Sequence, residues 1–149
     1  MKRAALVVLV GLAAVLPLQA KQYSTFRAHL EASANNGPVF SRTVELFGRK
    51  VTIEKMPTLS ENDVTAVRTY RVADGTHGAL FKLSEHGRLA LDTLSVERRG
   101  GSLFIFINGR PITELQIDRR VSDGKIYVAS GLTPADVELL KKDWPKGRK

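Results

Sequence analysis

The stretch Gly101-Ser-Leu-Phe-Ile-Phe-Ile-Asn-Gly-Arg110 decides how the chain is read. Leu103 to Ile107 form an unbroken apolar run whose β-branched and aromatic types suit a strand covered on both faces. The run stops at Asn108-Gly109, a pair that tolerates positive φ at both positions and so makes a tight hairpin turn. A second run returns from Pro111, which has no N–H to donate and therefore marks a strand start or an edge. Asp123-Gly124 then hands over to a third run, Lys125 to Ala129. This predicts a central sheet over 101–126, with the rest of the chain as its cover.

Working outward, Gly131 turns the chain into Thr133-Pro134-Ala135-Asp136. A threonine cap, proline at the first helical position and an acid at the third predict a helix start. Val137, Leu139 and Leu140 supply its apolar face, Lys141-Lys142 its cationic end and Pro145 its stop. On the upstream side Ser84 caps a helix from Glu85 to about Arg98, with Ala90, Leu91 and Leu94 at facing-pair spacing. Glu85 at its start and Arg98-Arg99 before Gly100 at its end match the helix dipole and the glycine stop. Ala79 to Leu83 reads as the strand before it.

Further upstream, Thr43 to Leu46 and Lys50 to Glu54 flank Phe47-Gly48-Arg49 as a hairpin with one wet face, where Glu45 and Glu54 would be neighbours. Ser60 with Asp63 predicts a short capped helical start, passing to strand over Val67 to Val72 before the Asp74-Gly75 turn. Tyr23 to Ala32 alternates apolar and polar, which predicts a half-buried strand, and Asn35-Asn36-Gly37-Pro38 breaks it. Strands and helices mix without regular βαβ spacing. The expected fold is α+β: a two-layer sandwich of a largely antiparallel sheet with two to three helices on one face.

The chain has 149 residues, enough for one domain with a real core, and no cysteine, which excludes disulfides, thiolate zinc sites and a catalytic thiol. Met1-Lys2-Arg3, the apolar run Ala4 to Leu16 and a small residue at Ala20 have the three-part pattern of a signal peptide cleaved after Ala20. The run is shorter than the roughly 20 residues of a comfortable membrane span. An uncleaved anchor is the alternative. The expected organisation is a signal peptide over 1–20, an N-terminal strand and loop over 21–40, an α+β domain over 41–145 and a basic tail over 146–149. The protein is expected to be exported, periplasmic or extracellular, with no span after the signal. Net charge is +8, or +6 without Lys2 and Arg3. The basic residues are scattered apart from the pairs Arg98-Arg99 and Arg119-Arg120 and the stretch from Lys141 to Lys149, which could meet an anionic envelope component. An exported location makes nucleic acid a poor partner.

From about Lys55 to Trp144 the order of features is specific enough to compare. An apolar strand ends at Leu83 and Ser-Glu-His-Gly opens a helix. Then come Gly-Gly-Ser-Leu-Phe-Ile-Phe-Ile-Asn-Gly-Arg, Pro-Ile-Thr, Asp-Gly-Lys-Ile, Gly-Leu-Thr and the helix Pro-Ala-Asp-Val-Glu-Leu-Leu. This succession resembles the head of the first periplasmic domain of the SecD protein-export subunit. SecD couples export to proton flow through a multi-span region that has no counterpart after the apolar start here. The resemblance therefore implies a stand-alone exported copy of the head, a non-enzymatic module that contacts polypeptides, and it transfers no site residue.

The residues themselves point to no catalytic centre. His29, His77 and His86 lack the spacing of a metal site, so no metal and no cofactor is expected. Neither a Gly-x-Ser-x-Gly elbow nor a Ser-x-x-Lys motif occurs. An exported hydrolase with a dispersed site is the competing functional class. The one polar cluster worth a hypothesis is Arg110 with Asp118, Arg119, Arg120 and Asp123. It would be a contact for an acidic ligand or a peptide at one end of the sheet, or else a set of ordinary surface ion pairs, which contribute little to stability.

Overall fold

The computed structural model describes residues 21–33 and 35–145. The expected signal peptide over 1–20 and the tail over 146–149 lie outside them. In chain order the strands are β1 Phe26–Leu30, β2 Ser41–Leu46, β3 Arg49–Glu54, β4 Leu59–Ser60, β5 Val64–Arg71, β6 His77–Leu83, β7 Ser102–Ile107, β8 Arg110–Gln116 and β9 Lys125–Leu132. Helix α1 is Glu85–Glu97 and helix α2 is Pro134–Asp143, and a single 3-10 turn occupies Glu61–Asp63. The fold is α+β, and every strand pair is antiparallel.

Strand β7 is central, as its composition requires. It pairs with β1 on one side and β8 on the other, giving a sheet of order β4-β1-β7-β8. One face of this sheet, with Phe26, Ala28, Leu30, Leu103, Ile105 and Ile107, shares a core with a second sheet of order β5-β6-β9. The Phe26 and Phe81 rings meet across it at 4.7 Å. The other face is covered by the β2–β3 hairpin, whose Leu46, Val51 and Ile53 pack on Phe104. Helix α1 contacts β4, β6 and the 3-10 turn, while α2 lies on β5. The Trp144 indole N–H donates to the Val64 carbonyl at 3.0 Å, which anchors the end of α2 there.

Three expectations change here. Lys125–Leu132 is not a third strand of the β7 sheet: after β8 the chain crosses over 117–124 and β9 pairs with β6. Strand β1 is less wet than its alternation predicts: Arg27 stays exposed, but the hairpin covers His29, which is only 5% exposed. The strand lies inside the main sheet, and its Phe26, Ala28 and Leu30 belong to the main core. The hairpin register sets Glu45 opposite Lys50 and Glu54 opposite Ser41, so the two glutamates do not face one another.

Local signals account for the turns and caps. Asn108 and Gly109 sit at φ 52° and 78°, the left-handed pair that a twisted two-residue hairpin needs. The Thr133 hydroxyl accepts from the Asp136 N–H, and the Asp136 carboxylate accepts in turn from the Thr133 N–H, closing a capping box at α2.

Candidate functional site

Strands β8 and β9 are the outer strands of their two sheets, and neither pairs on its other side with a strand among the described residues. They approach each other at one end, where a Cβ on Gly131 would lie 3.5 Å from the Ile112 Cγ2. Toward the other end they part around a cleft of about 460 Å³. Leu91 and Leu94 of α1, with Leu103, Leu115, Ile117 and Ile126, give it an apolar lining. The crossing loop 117–123 is its rim, and Tyr127, 57% exposed, stands on its β9 wall.

The rim is held from α1. Buried Ser95 donates its hydroxyl to the Asp92 carbonyl at 2.8 Å and accepts from the Val121 N–H at 2.9 Å. The Arg120 guanidinium grips the Asp92 carboxylate through two bonds, at 2.5 and 2.9 Å. That bonding lowers the Asp92 pKa and raises that of Arg120. Arg88 reaches the Ser122 carbonyl at 3.3 Å. The loop ends at Gly124, at φ 66°, with its carbonyl accepting from the Leu83 N–H; a Cβ there would press to 2.9 Å from Arg88. Only glycine meets both conditions without strain.

The residues singled out from sequence divide between two places. Asp118, Arg119, Arg120 and Asp123 all line the cleft rim. Asp123 folds back to accept from the Lys125 N–H at 3.1 Å. Arg110 does not join them. It lies at the opposite end of β8, about 20 Å away by strand rise, and pairs with the 5%-exposed Asp136 of α2. The Asp136 carboxylate also accepts from Asn108 Nδ2 at 2.9 Å and from the Thr133 N–H and hydroxyl. Burial pushes its pKa up, but these donors and the Arg110 charge outweigh burial and hold the carboxyl below its ordinary value. This is a structural knot.

Sequence reasoning did not find Ser95, Asp92 or Tyr127 as parts of the site. Tyr127 was within reach: Lys125, Tyr127 and Ala129 alternate outward against buried Ile126 and Val128. The Ser95 and Asp92 partnerships with the loop depend on tertiary placement alone.

The histidines lie apart. His29 is buried between sheet and hairpin and donates from Nδ1 to the Glu54 carbonyl at 2.8 Å. Its pKa is lowered, chiefly by burial. His86, at the start of α1, meets Asp63 at 2.8 Å. The Asp63 carboxylate also accepts from the Ser60 N–H at 2.9 Å, as part of the capping box of the 3-10 turn. Among the described residues, no three His, Asp or Glu side chains gather as metal ligands would, and no helix is long and apolar enough to cross a membrane.

The class this architecture defines is an α+β domain of two antiparallel sheets with a cleft between their free edges. Solved structures place it more narrowly. It is similar to a chain of SecDF, described as a membrane component that enhances protein export, with a TM-score of 0.58 and 14% identity over 84% of this chain and 66% of that one. A crystal structure of SecDF in a super-membrane-facing form gives the same TM-score and identity over 83% of this chain and 19% of that one. The likeness is one of fold, and it agrees with the order of features in the sequence: the chain has a SecD-like fold. No protein-family model and no curated protein matches it.

Proposed function

We propose that the chain is an exported, SecD-like binding module that holds extended polypeptide segments between β8 and β9. One observation carries this reading: two strand edges that have no partner among the described residues border one apolar-lined cleft. An extended peptide satisfies its backbone by adding to such an edge, while alternate side chains enter the pocket beside it. The polar rim of Asp118, Arg119 and Asp123 would meet the peptide's remaining groups, and Tyr127 would supply the aromatic contact that anchors many interfaces. The SecDF likeness favours a client that is an unfolded chain, and an exported location for the module. Binding needs no catalytic group.

The test is fluorescence anisotropy with residues 21–149 and a labelled, permanently unfolded probe, reduced and carboxymethylated lactalbumin. Saturable binding is expected, weakened roughly tenfold by Tyr127→Ala. Tyr127 is exposed, so its truncation leaves the fold intact. Absence of binding, or equal binding by the variant, ends the reading. Protease accessibility of the protein in intact, outer-membrane-permeabilised cells tests the location.

A further inference from the structure

A second cleft, of about 720 Å³, opens between the β2–β3 hairpin and the main sheet. Arg27, Arg42, Lys55 and His29 line it, with no carboxylate among its lining residues. Arg42 has no ion-pair partner among the described residues. Arg27 reaches Glu61 only at 3.8 Å, and Lys55 Nζ donates to the neutral Pro38 carbonyl at 2.6 Å. Three cations therefore converge with little to neutralise them.

The same end of the molecule carries the most exposed large apolar side chains among the described residues. Val39 is 71%, Phe40 70% and Met56 78% exposed. They stand on the turns that precede β2 and follow β3. Those turns are tied together, because the Lys55 N–H donates to the Phe40 carbonyl at 2.8 Å. None of the three belongs to either core cluster. Apolar side chains projecting from turns beside a cationic cleft suit a surface that offers phosphate outside and hydrocarbon beneath. An acidic peptide would satisfy the cations and leave the apolar tips in water.

We infer that this end seats on an anionic phospholipid bilayer. Val39, Phe40 and Met56 enter the headgroup boundary, and Arg27, Arg42 and Lys55 meet lipid phosphates. The inference uses none of the residues of the polypeptide reading and stands independently of it. The six strand pairs of the fold lie within 21–145, so the chain from Lys21 onward is used for a test without the apolar start.

The test is co-sedimentation of residues 21–149 with vesicles of phosphatidylglycerol and phosphatidylcholine, against vesicles of phosphatidylcholine alone. Binding is expected only to the anionic vesicles. Arg42→Glu with Lys55→Glu should cut it about 25-fold or more, at roughly fivefold per cation lost. Phe40→Ser with Met56→Ser should cut it about tenfold or more. Both double variants should keep the wild-type urea midpoint and bind the lactalbumin probe as the parent does. Four results would each overturn the inference: equal binding to neutral vesicles; unchanged binding by either double variant; loss of binding on removing 146–149 with the tip variants unaffected; or full competition by millimolar glycerol phosphate, which would make this a site for a soluble anion.

Discussion

At one end of β8, Arg110 meets a carboxylate that is 5% exposed and already accepts from Asn108 and Thr133. Beyond the other end, Arg120 grips Asp92 with its own side chain 62% exposed. The chemical pairs are the same, arginine with aspartate. Their surroundings give them different work. The buried carboxylate is desolvated and needs every donor around it, so the Asp136 knot fixes the turn, the helix cap and the sheet to one another. The outer pair is more open, with the Asp92 side chain 15% exposed and the arginine standing in solvent that screens it, so it shapes a loop without holding up the core. One end of the strand is therefore closed, and the other borders the open cleft.

The contrast breaks most visibly at Asp136. Asp136→Ala removes the cap and leaves Asn108, Thr133 and Arg110 facing an empty place, and should lower stability by about 2–3 kcal/mol, read from the urea midpoint. Its pH dependence follows in sign. Because the folded carboxyl titrates below its unfolded value near ~3.9, its contribution is fully present above that value and is lost as pH falls through the folded pKa. Asp136→Asn should thus be less stable than the parent at neutral pH, and the gap should shrink as acid is added below about pH 4. At the open end, Ser95→Ala deprives the Val121 N–H of its acceptor and should cost about 1–2 kcal/mol, with faster amide exchange confined to 117–123. Smallest is Arg120→Ala. It should leave the urea midpoint unmoved and quicken exchange in the loop alone; a global loss of stability would mean that the outer pair supports the core after all.

How far the sequence carries the reader differs between these regions for a physical reason. Asn108-Gly109, Thr133 with Asp136 and Ser84 are local devices: backbone torsion and capping act within a few residues, so the turn and both helix starts are visible in the letters. The sheet change at 117–124 is not local. Asp123-Gly124 announces a turn but carries no information about which strand β9 will join. The alternation of 23–32 was equally ambiguous, since a polar face at His29 tells nothing of a hairpin that later closes over it. For the site, the residue run 118–123 was legible as polar and turn-forming. Its separation from Arg110 was not, because β8 intervenes as a rigid spacer and Asp136 lies 26 positions downstream of Arg110.

The placement of β1 also has a temporal consequence. The first strand among the described residues is an interior strand of the main sheet, and its partner β7 comes about 75 residues later. The Thr25 N–H finds its acceptor on Asn108, 83 positions away. Ser24 finds its own on Asp143, 119 positions away. Contacts of such separation make for slow folding, because loop closure precedes any gain from pairing. The main sheet cannot close until β7 has been made, whereas the β2–β3 and β5–β6 hairpins hold both their strands before that point.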